Sequence, residues 1–192
     1  MPGSPLNVRL ERLVRASPWL MPVLRAARAL DLADWCIGAG ALRNLVWDAL
    51  HGHTIPSCLP DLDLVYFDAA DLSTARDAAL QASLAASHPD IPWEVTNQAA
   101  VHLWFADHFG YQVPPLLSLE EAVASWPEYA TAVGVALNAD DSLRVIAPHG
   151  LGDLFEMVVR RNPARVSVET YRQRLAQKRY AERWPRVTVV GE

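Results

Sequence analysis

Two short stretches decide the fold of this chain: Ile37-Gly38-Ala39-Gly40 and Pro60-Asp61-Leu62-Asp63-Leu64-Val65-Tyr66. The first is a glycine turn that opens an apparent helix, and the second places two acids, one residue apart, at the start of an apolar run. Because side chains alternate across a strand, Asp61 and Asp63 should point to the same side. Paired carboxylates suit Mg²⁺ or Mn²⁺, and the free N–H groups of a helix N-terminus suit phosphate. Together the two stretches indicate metal-assisted chemistry on a nucleotide.

Composition narrows the class of protein. The 192 residues are 51% hydrophobic and 20% charged, which is typical of a globular domain with a sizeable core. The net charge of −5 argues against broad, non-specific nucleic-acid binding, although a local basic site is compatible with it. Only Cys36 and Cys58 are present, which implies no disulfide framework and fits a reducing compartment. The apolar stretch 18–30 is short and contains two arginines, so we expect a cytoplasmic protein without membrane contact.

The order of apolar runs predicts the fold class. The runs predict strands at 34–37, 61–67, 93–96, 131–137 and 143–147. Helices lie between most of them, while the last two strands flank Asn138-Ala139-Asp140-Asp141 and form a hairpin. A short helix at 151–159 and a basic helix at 167–183 follow. We therefore predict an α/β (α+β) fold, a small mixed sheet flanked by helices, with an added hairpin and a C-terminal helix.

The sequence contains no evident linker, so one domain is expected over residues 1–192. Within it we distinguish N-terminal helices at 1–33, a catalytic core at 34–110 and a C-terminal extension at 111–192. The core contains both the glycine turn and the paired acids.

Each candidate motif also has a structural explanation. Glycines after a strand often serve only a tight turn, and Arg43 stands where a dinucleotide fingerprint has a further glycine. Asp61 and Asp63 could simply begin an exposed edge strand. A charge in a sheet is costly unless it is paired or bound to metal, and the upstream turn favours the metal interpretation.

Three further residues complete the candidate site. Glu94 lies inside the apolar run 93–96 and is the natural third carboxylate, unless it faces solvent. Arg43 and Asn44 lie in the first turns after the glycines, where their side chains could reach a phosphate or sugar. Arg43 could equally be a solvated helix residue.

The C-terminal part of the chain is basic. Its cationic residues are Arg160, Arg161, Arg165, Arg172, Arg174, Lys178, Arg179, Arg183 and Arg186. A solvated helix face is the favoured interpretation. The alternative is an electropositive wall for a polyphosphate or an RNA end.

These motifs, taken together, resemble the bacterial "nucleotidyltransferase family protein" group, a largely uncharacterised branch of the polymerase-beta-like superfamily. The similar segments are 37–40, 43–44, 46–48, 61–68, 93–98, 126–128, 150–155 and 184–185. The resemblance implies that Gly38 and Gly40 form the phosphate-gripping turn, that Asp61 and Asp63 are the metal-binding pair, and that Glu94 is the third acid. It also implies a small mixed sheet with flanking helices.

One position departs from the superfamily pattern. The turn often carries a serine hydroxyl there, and this chain has Ala39. The phosphate grip is then expected from backbone N–H groups, with Arg43 as a further contact.

The leading hypothesis is a metal-dependent nucleotidyltransferase. It would move a nucleoside monophosphate from an NTP to an acceptor hydroxyl or phosphate on a small molecule, protein or RNA end, with pyrophosphate release. Asp61 and Asp63 would hold two Mg²⁺ (or Mn²⁺) ions, and Glu94 would bind the second metal or act as general base. A non-catalytic nucleotide- or protein-binding homologue, such as a toxin–antitoxin component, is the main alternative. A sugar-nucleotide glycosyltransferase is a third, although such enzymes are usually larger.

Overall fold

A computed structural model describes residues 5–191. The helices are α1 (Leu6–Ala16), α2 (Leu20–Arg28), α3 (Gly40–His51), α4 (Thr74–Ser87), α5 (Val101–Phe109), α6 (Leu119–Ala124), α7 (Gly152–Glu156), α8 (Val168–Lys178) and α9 (Tyr180–Arg183). The strands are β1 (Trp35–Gly38), β2 (Leu62–Tyr66), β3 (Trp93–Asn97), β4 (Gly134–Leu137), β5 (Leu143–Ile146), β6 (Val158–Val159) and β7 (Thr188–Val189).

The main sheet has five strands in the order β3-β2-β1-β4-β5. Strands β2 and β3 are parallel, and α4 connects them. The pairs β1–β2, β1–β4 and β4–β5 are antiparallel, and the last of these is the hairpin expected from the sequence. The predicted mixed sheet with flanking helices is therefore confirmed.

The two faces of β2 differ in chemistry. Leu62, Leu64 and Tyr66 are buried in the core, where α3 packs on β1 and β2 while α4 packs on β3. The intervening residues Asp61 and Asp63 point to the opposite face, since successive side chains alternate. The sheet thus presents its polar face to the candidate site.

Local signals in the sequence set several helix boundaries. The Ser118 hydroxyl accepts a hydrogen bond from the N–H of Glu121 and caps α6. The side chain of Asn97 accepts from the N–H of Ala99 and begins a 3-10 turn that leads into α5. Helix α3 ends at His51 and is followed by Gly52, whose φ of 70° is easily adopted without a side chain.

Two predicted helices are wrong in extent. The helix expected at 151–159 ends at Glu156, because Met157 adopts φ 57° and the next two residues form β6, which pairs with β7. The helix expected at 167–183 breaks at Arg179, which adopts φ 47°. The break turns Tyr180 back toward α3.

No helix within residues 5–191 is long and apolar enough to cross a membrane.

Candidate active site

A large cavity of about 1390 Å³ lies on the polar face of β2 and β3. Its acidic floor consists of Asp61, Asp63 and Glu94. Its basic wall consists of Arg43, Arg174, Lys178, Arg179 and Arg183. Its aromatic end consists of Trp104, Phe105, Phe109 and Tyr111. Acidic, cationic and aromatic groups therefore share one space.

The acidic floor gathers like charges on two neighbouring strands. Asp63 and Glu94 are direct partners in the parallel register of β2 and β3, and Asp61 precedes Asp63 on the same side. Burial, together with the charges of Asp61 and Glu94, raises the pKa of Asp63 to about 7. Lys178 and Arg174 oppose this rise from the basic wall. Within residues 5–191, no three His, Cys, Asp or Glu side chains form a ready-made metal-ligand cluster.

The glycine turn places an uncapped helix end at the cavity. Ala39 precedes α3 with φ 49° and ψ −117°, a conformation that L-residues rarely adopt. Its N–H donates to the Val133 carbonyl at 3.2 Å, and its own carbonyl accepts from the N–H of Arg43 at 3.1 Å. No side chain caps α3, and Ala39 and Gly40 line the cavity. The first turn of α3 can therefore donate to an anion there.

The two glycines of the turn have different surroundings. Gly38 lies at the end of β1 beneath the ring of Trp126, and a Cβ atom at Gly38 would come within 2.5 Å of the ring's Cη2 atom. The small size of Gly38 is thus explained by packing, without any ligand. A Cβ atom at Gly40 would meet its nearest neighbour, Nη2 of Arg43, only at 3.6 Å. At Gly40, protein packing leaves room for a side chain.

Arg43 lines the cavity from a buried position. Only 4% of the residue is exposed, and its Nη2 donates to Oδ1 of Asn44 at 2.8 Å while Nη1 donates to the Tyr180 hydroxyl at 3.4 Å. The guanidinium also lies over the rings of Trp47, Tyr180 and Trp184, with centroid distances of 5.7, 5.1 and 5.4 Å. Burial lowers its pKa. The expectation of a solvated helix residue is therefore excluded.

Asn44 is buried beside Arg43. It is 2% exposed, and its amide N–H donates to the Cys58 carbonyl at 3.4 Å while its oxygen receives the Arg43 guanidinium. These contacts hold Arg43 in place. The proposed contact of Asn44 with a phosphate or sugar stays a prediction.

Glu128, for which the sequence predicts no role, forms hydrogen bonds with two residues of the cavity, Arg174 and Thr131. Glu128 is 1% exposed and receives Nε and Nη2 of Arg174 at 2.9 and 3.2 Å. The hydroxyls of Thr131 and Tyr180 donate to the same carboxylate at 3.0 and 3.3 Å. Through Tyr180 the network also reaches Arg43. The segment 126–128 is one of those that resemble the nucleotidyltransferase group. The acidic residue among apolar neighbours there is the feature of the sequence that could have pointed to Glu128.

A second buried carboxylate fastens the C-terminal segment. Asp48 receives the indole N–H of Trp184 at 2.8 Å and the N–H and hydroxyl of Ser57 at 2.7 and 2.6 Å. Burial raises the pKa of Asp48, but the hydrogen bonds from Ser57 and Trp184 outweigh it and hold the pKa below its usual range. Asp48 therefore has a structural role, which is to hold Trp184 and the loop at Ser57 against α3.

Part of the basic C-terminal segment borders the cavity. Its lining includes Arg165, Arg174, Lys178, Arg179 and Arg183, and the side chain of Arg179 is 65% exposed there. Elsewhere in the same segment, Arg160 pairs with Asp153 outside the cavity. Both interpretations of the basic cluster, a solvated helix face and an electropositive wall, are compatible with these positions.

Comparisons with known proteins agree with this arrangement. A family model described as "Nucleotidyltransferase" matches residues 25–189. The solved structure of a CCA-adding enzyme head domain, determined by NMR, has a TM-score of 0.80 and is 28% identical, with 95% of each chain covered. No curated protein sequence matches the chain.

Larger enzymes share the fold at lower identity. A Thermotoga maritima CCA-adding enzyme complexed with tRNA has a TM-score of 0.56 and 13% identity, over 94% of this chain and 42% of that one. A CCA-adding enzyme structure with CTP gives the same score and identity, over 94% and 43%. The chain thus spans less than half of these two enzymes.

Proposed function

Because the chain belongs to this nucleotidyltransferase family, we propose that it transfers a nucleoside monophosphate from an NTP to an acceptor hydroxyl or phosphate and releases pyrophosphate. The observation that carries this is the pairing of Asp63 with Glu94 across β2 and β3, which faces the basic wall over one cavity. Carboxylates opposite cations suit a metal-bound triphosphate.

The triphosphate is assigned to the space between the turn and the basic wall. The uncapped first turn of α3 supplies N–H donors. Arg174 and Lys178 add positive charge close enough to lower the pKa of Asp63. Arg43 is held by Asn44 and Tyr180, so its charge is already positioned before a ligand arrives.

The acidic floor fits a divalent cation in its chemistry. Carboxylate oxygens are hard ligands, and Mg²⁺ is commonly held by one or two carboxylates together with substrate phosphates. Burial first, and then the charges of Asp61 and Glu94, raise the pKa of Asp63, and a bound cation would offset both effects. Asp61 and Asp63 would hold Mg²⁺ or Mn²⁺, which when bound neutralises the triphosphate and lowers the pKa of the acceptor hydroxyl.

Glu94 is assigned the acceptor side of the floor. Unlike Asp63, it is exposed in the cavity, where an acceptor can approach it. Its carboxylate would take the proton of the acceptor hydroxyl, or complete the metal ligands. In this proposal, residues 34–110 supply the floor and the turn, while the extension at 111–192 supplies most of the basic wall.

The first test separates donor binding from chemistry. Asp61→Asn and Asp63→Asn should each abolish Mg²⁺-dependent NTP binding in calorimetric titration while the protein stays folded. Glu94→Gln should keep NTP affinity within about a few-fold but lower pyrophosphate release roughly a hundredfold, the usual range for a lost general base. Asp107→Asn, which removes one charge from an exposed position on α5, is the matched control.

The outcomes discriminate between the proposals. Unchanged NTP affinity in both aspartate variants would place the donor elsewhere. Equal turnover in wild type and Glu94→Gln would remove Glu94 from the mechanism. If the protein binds NTPs but releases no pyrophosphate from any of them when cell extract supplies the acceptor, the result would favour the non-catalytic homologue. CTP and RNA ends are the first ligands to try, because CCA-adding enzymes that share the fold have been solved with CTP and with tRNA.

A further inference from the structure

A buried carboxylate holds one cation of the basic wall in a single orientation. Glu128 is 1% exposed and lies behind the wall, outside the lining of the cavity. It receives Nε and Nη2 of Arg174 together, and such a bidentate pair fixes the plane of the guanidinium. Arg174 does line the cavity, with 28% of its side chain exposed. Since Glu128 takes one edge of the guanidinium on the buried side, the other edge, with Nη1, is turned away from Glu128.

The Glu128 carboxylate is itself held from several sides. Its backbone forms an antiparallel bridge with Arg161, and its carbonyl accepts from the N–H of Thr131 at 3.0 Å. The hydroxyls of Thr131 and Tyr180 donate to the carboxylate beside the two bonds from Arg174. A carboxylate has about four acceptor sites, so these bonds satisfy it. Glu128 can therefore act on a ligand only through its partners.

The same carboxylate offsets the repulsion between two cations. Burial lowers the pKa of Arg43, Tyr180 and Glu128 oppose that effect, and the charge of Arg174 adds to it. Burial alone would lower the pKa of Arg174 as well, but Glu128 outweighs burial and the pKa is raised. The Tyr180 hydroxyl bonds to both Arg43 and Glu128, at 3.4 and 3.3 Å. Both guanidinium groups are therefore kept charged in one network before a ligand arrives.

Arg174 lies within electrostatic range of the acidic floor. Its charge, with that of Lys178, acts on the Asp63 carboxyl and lowers the Asp63 pKa. A guanidinium binds phosphate most strongly when two of its N–H groups are aligned with the phosphate oxygens. An arginine that is oriented in advance also loses less side-chain freedom when the phosphate binds. The orientation of Arg174 thus matters as well as its charge.

We propose that Glu128 is a positioning residue for the NTP, which fixes Arg174 so that the other edge of its guanidinium receives a phosphate oxygen of the triphosphate. The Tyr180 hydroxyl has the same role at one remove, since it holds the carboxylate. The inference rests on the proposed function, because it takes the donor at the acidic floor as its ligand. It also predicts a sign. Removing a negative charge near an anion site strengthens anion binding by electrostatics alone, whereas loss of positioning weakens it.

The experiment titrates inorganic tripolyphosphate with Mg²⁺, a probe that carries no base, by calorimetry well below the unfolding midpoint of each variant. Arg174→Lys keeps the charge but loses the bidentate geometry, and it should weaken binding about tenfold. Glu128→Gln should weaken binding by a similar factor. The double variant should bind no more weakly than Arg174→Lys alone, since Glu128 acts through Arg174. Arg172→Lys, at an exposed position of α8 outside the cavity lining, is the control and should bind like wild type.

A second variant keeps the test decisive if Glu128→Gln does not fold. Tyr180→Phe removes only the hydroxyl and keeps the ring beside Arg43. It should weaken tripolyphosphate binding about threefold, with no further loss when residue 174 is already lysine. Unchanged affinity in this variant, when Glu128→Gln is unfolded, would overturn the inference. So would a folded Glu128→Gln that binds as tightly as wild type or more tightly, or a loss that adds in full to that of Arg174→Lys.

Failure of the proposed reaction is visible separately. If Asp61→Asn and Asp63→Asn both keep Mg²⁺-dependent tripolyphosphate binding, the acidic floor is not the donor site, and the inference falls with it. If no NTP releases pyrophosphate but the Glu128 and Arg174 variants behave as expected, the transfer reaction is refuted and the positioning role of Glu128 in phosphate binding stands.

Discussion

Replacing Asp63 with asparagine should stabilise the metal-free protein above neutral pH. Burial and the charges of Asp61 and Glu94 raise the Asp63 pKa from an ordinary 3.8 to about 7. The folded state therefore binds more protons than the unfolded state between these two values, and stability falls as pH rises through that window. Above about pH 7 the full cost of the buried charge is present. Below about pH 4 it is absent.

The size of the effect follows from the shift. Roughly three pKa units correspond to a ceiling of about 4 kcal/mol. Asp63 keeps partial access to water in the cavity, so we expect about 2 kcal/mol at pH 8. For a chain of this length that is a rise in Tm of about 4–8 °C. Since asparagine keeps the shape of the protonated acid, the difference between variant and wild type should shrink toward zero near pH 4.

The assay is thermal and urea unfolding of both proteins in chelator-treated buffer at several pH values. Asp107→Asn, which removes an exposed negative charge, should show no such pH-dependent gain. Adding Mg²⁺ with an NTP should stabilise wild type and leave Asp63→Asn unchanged. A variant that is less stable than wild type at pH 8, or a gain that is the same at all pH values, would refute the electrostatic argument.

Further predictions concern the turn and the buried network. Ala39→Gly should stabilise the protein by about 1 kcal/mol in urea unfolding, because relief of the strain at φ 49° exceeds the entropy cost of glycine; a destabilised variant would contradict the strain. Gly38→Ala should lower the free energy of unfolding by about 1–3 kcal/mol, because the new methyl group would clash with the Trp126 ring. Gly40→Ala should fold normally and weaken NTP binding. Similar unfolding curves for the two variants would contradict this contrast. Glu128→Gln should cost about 2–3 kcal/mol by leaving Arg174 poorly compensated, and an unchanged Tm would exclude a structural role for that pair.

The polar face of the sheet could be predicted because its cause is local. Alternation along a strand places Asp61 and Asp63 on one side whatever the rest of the fold does. The pairing of Asp63 with Glu94 could not be predicted so directly, since it depends on the register between β2 and β3. That register is set by hydrophobic packing and by α4.

The environment of Arg43 depends on distant residues. Two of the aromatic rings that surround the Arg43 guanidinium belong to Tyr180 and Trp184. These residues are distant from Arg43 in sequence, so no local pattern near Arg43 predicts the contacts. The same distance explains the incorrect helix at 167–183. The residues around Arg179 have helical character, and the break exists because tertiary contacts of Tyr180 and Trp184 override local propensity.

The attachment of Trp184 to Asp48 has a consequence for how the protein becomes competent. The hydrogen bond joins residues 136 positions apart, and β7, which pairs with β6, follows Trp184 in the chain. Chains emerge from the ribosome at about 5–20 residues per second, so the glycine turn is synthesised well before the residues that fix Arg43 behind it. Contacts of such long sequence separation pay a loop-closure entropy before they stabilise the fold. Since Tyr180 and Trp184 surround Arg43, we expect full nucleotide affinity only once these two residues have packed against α3.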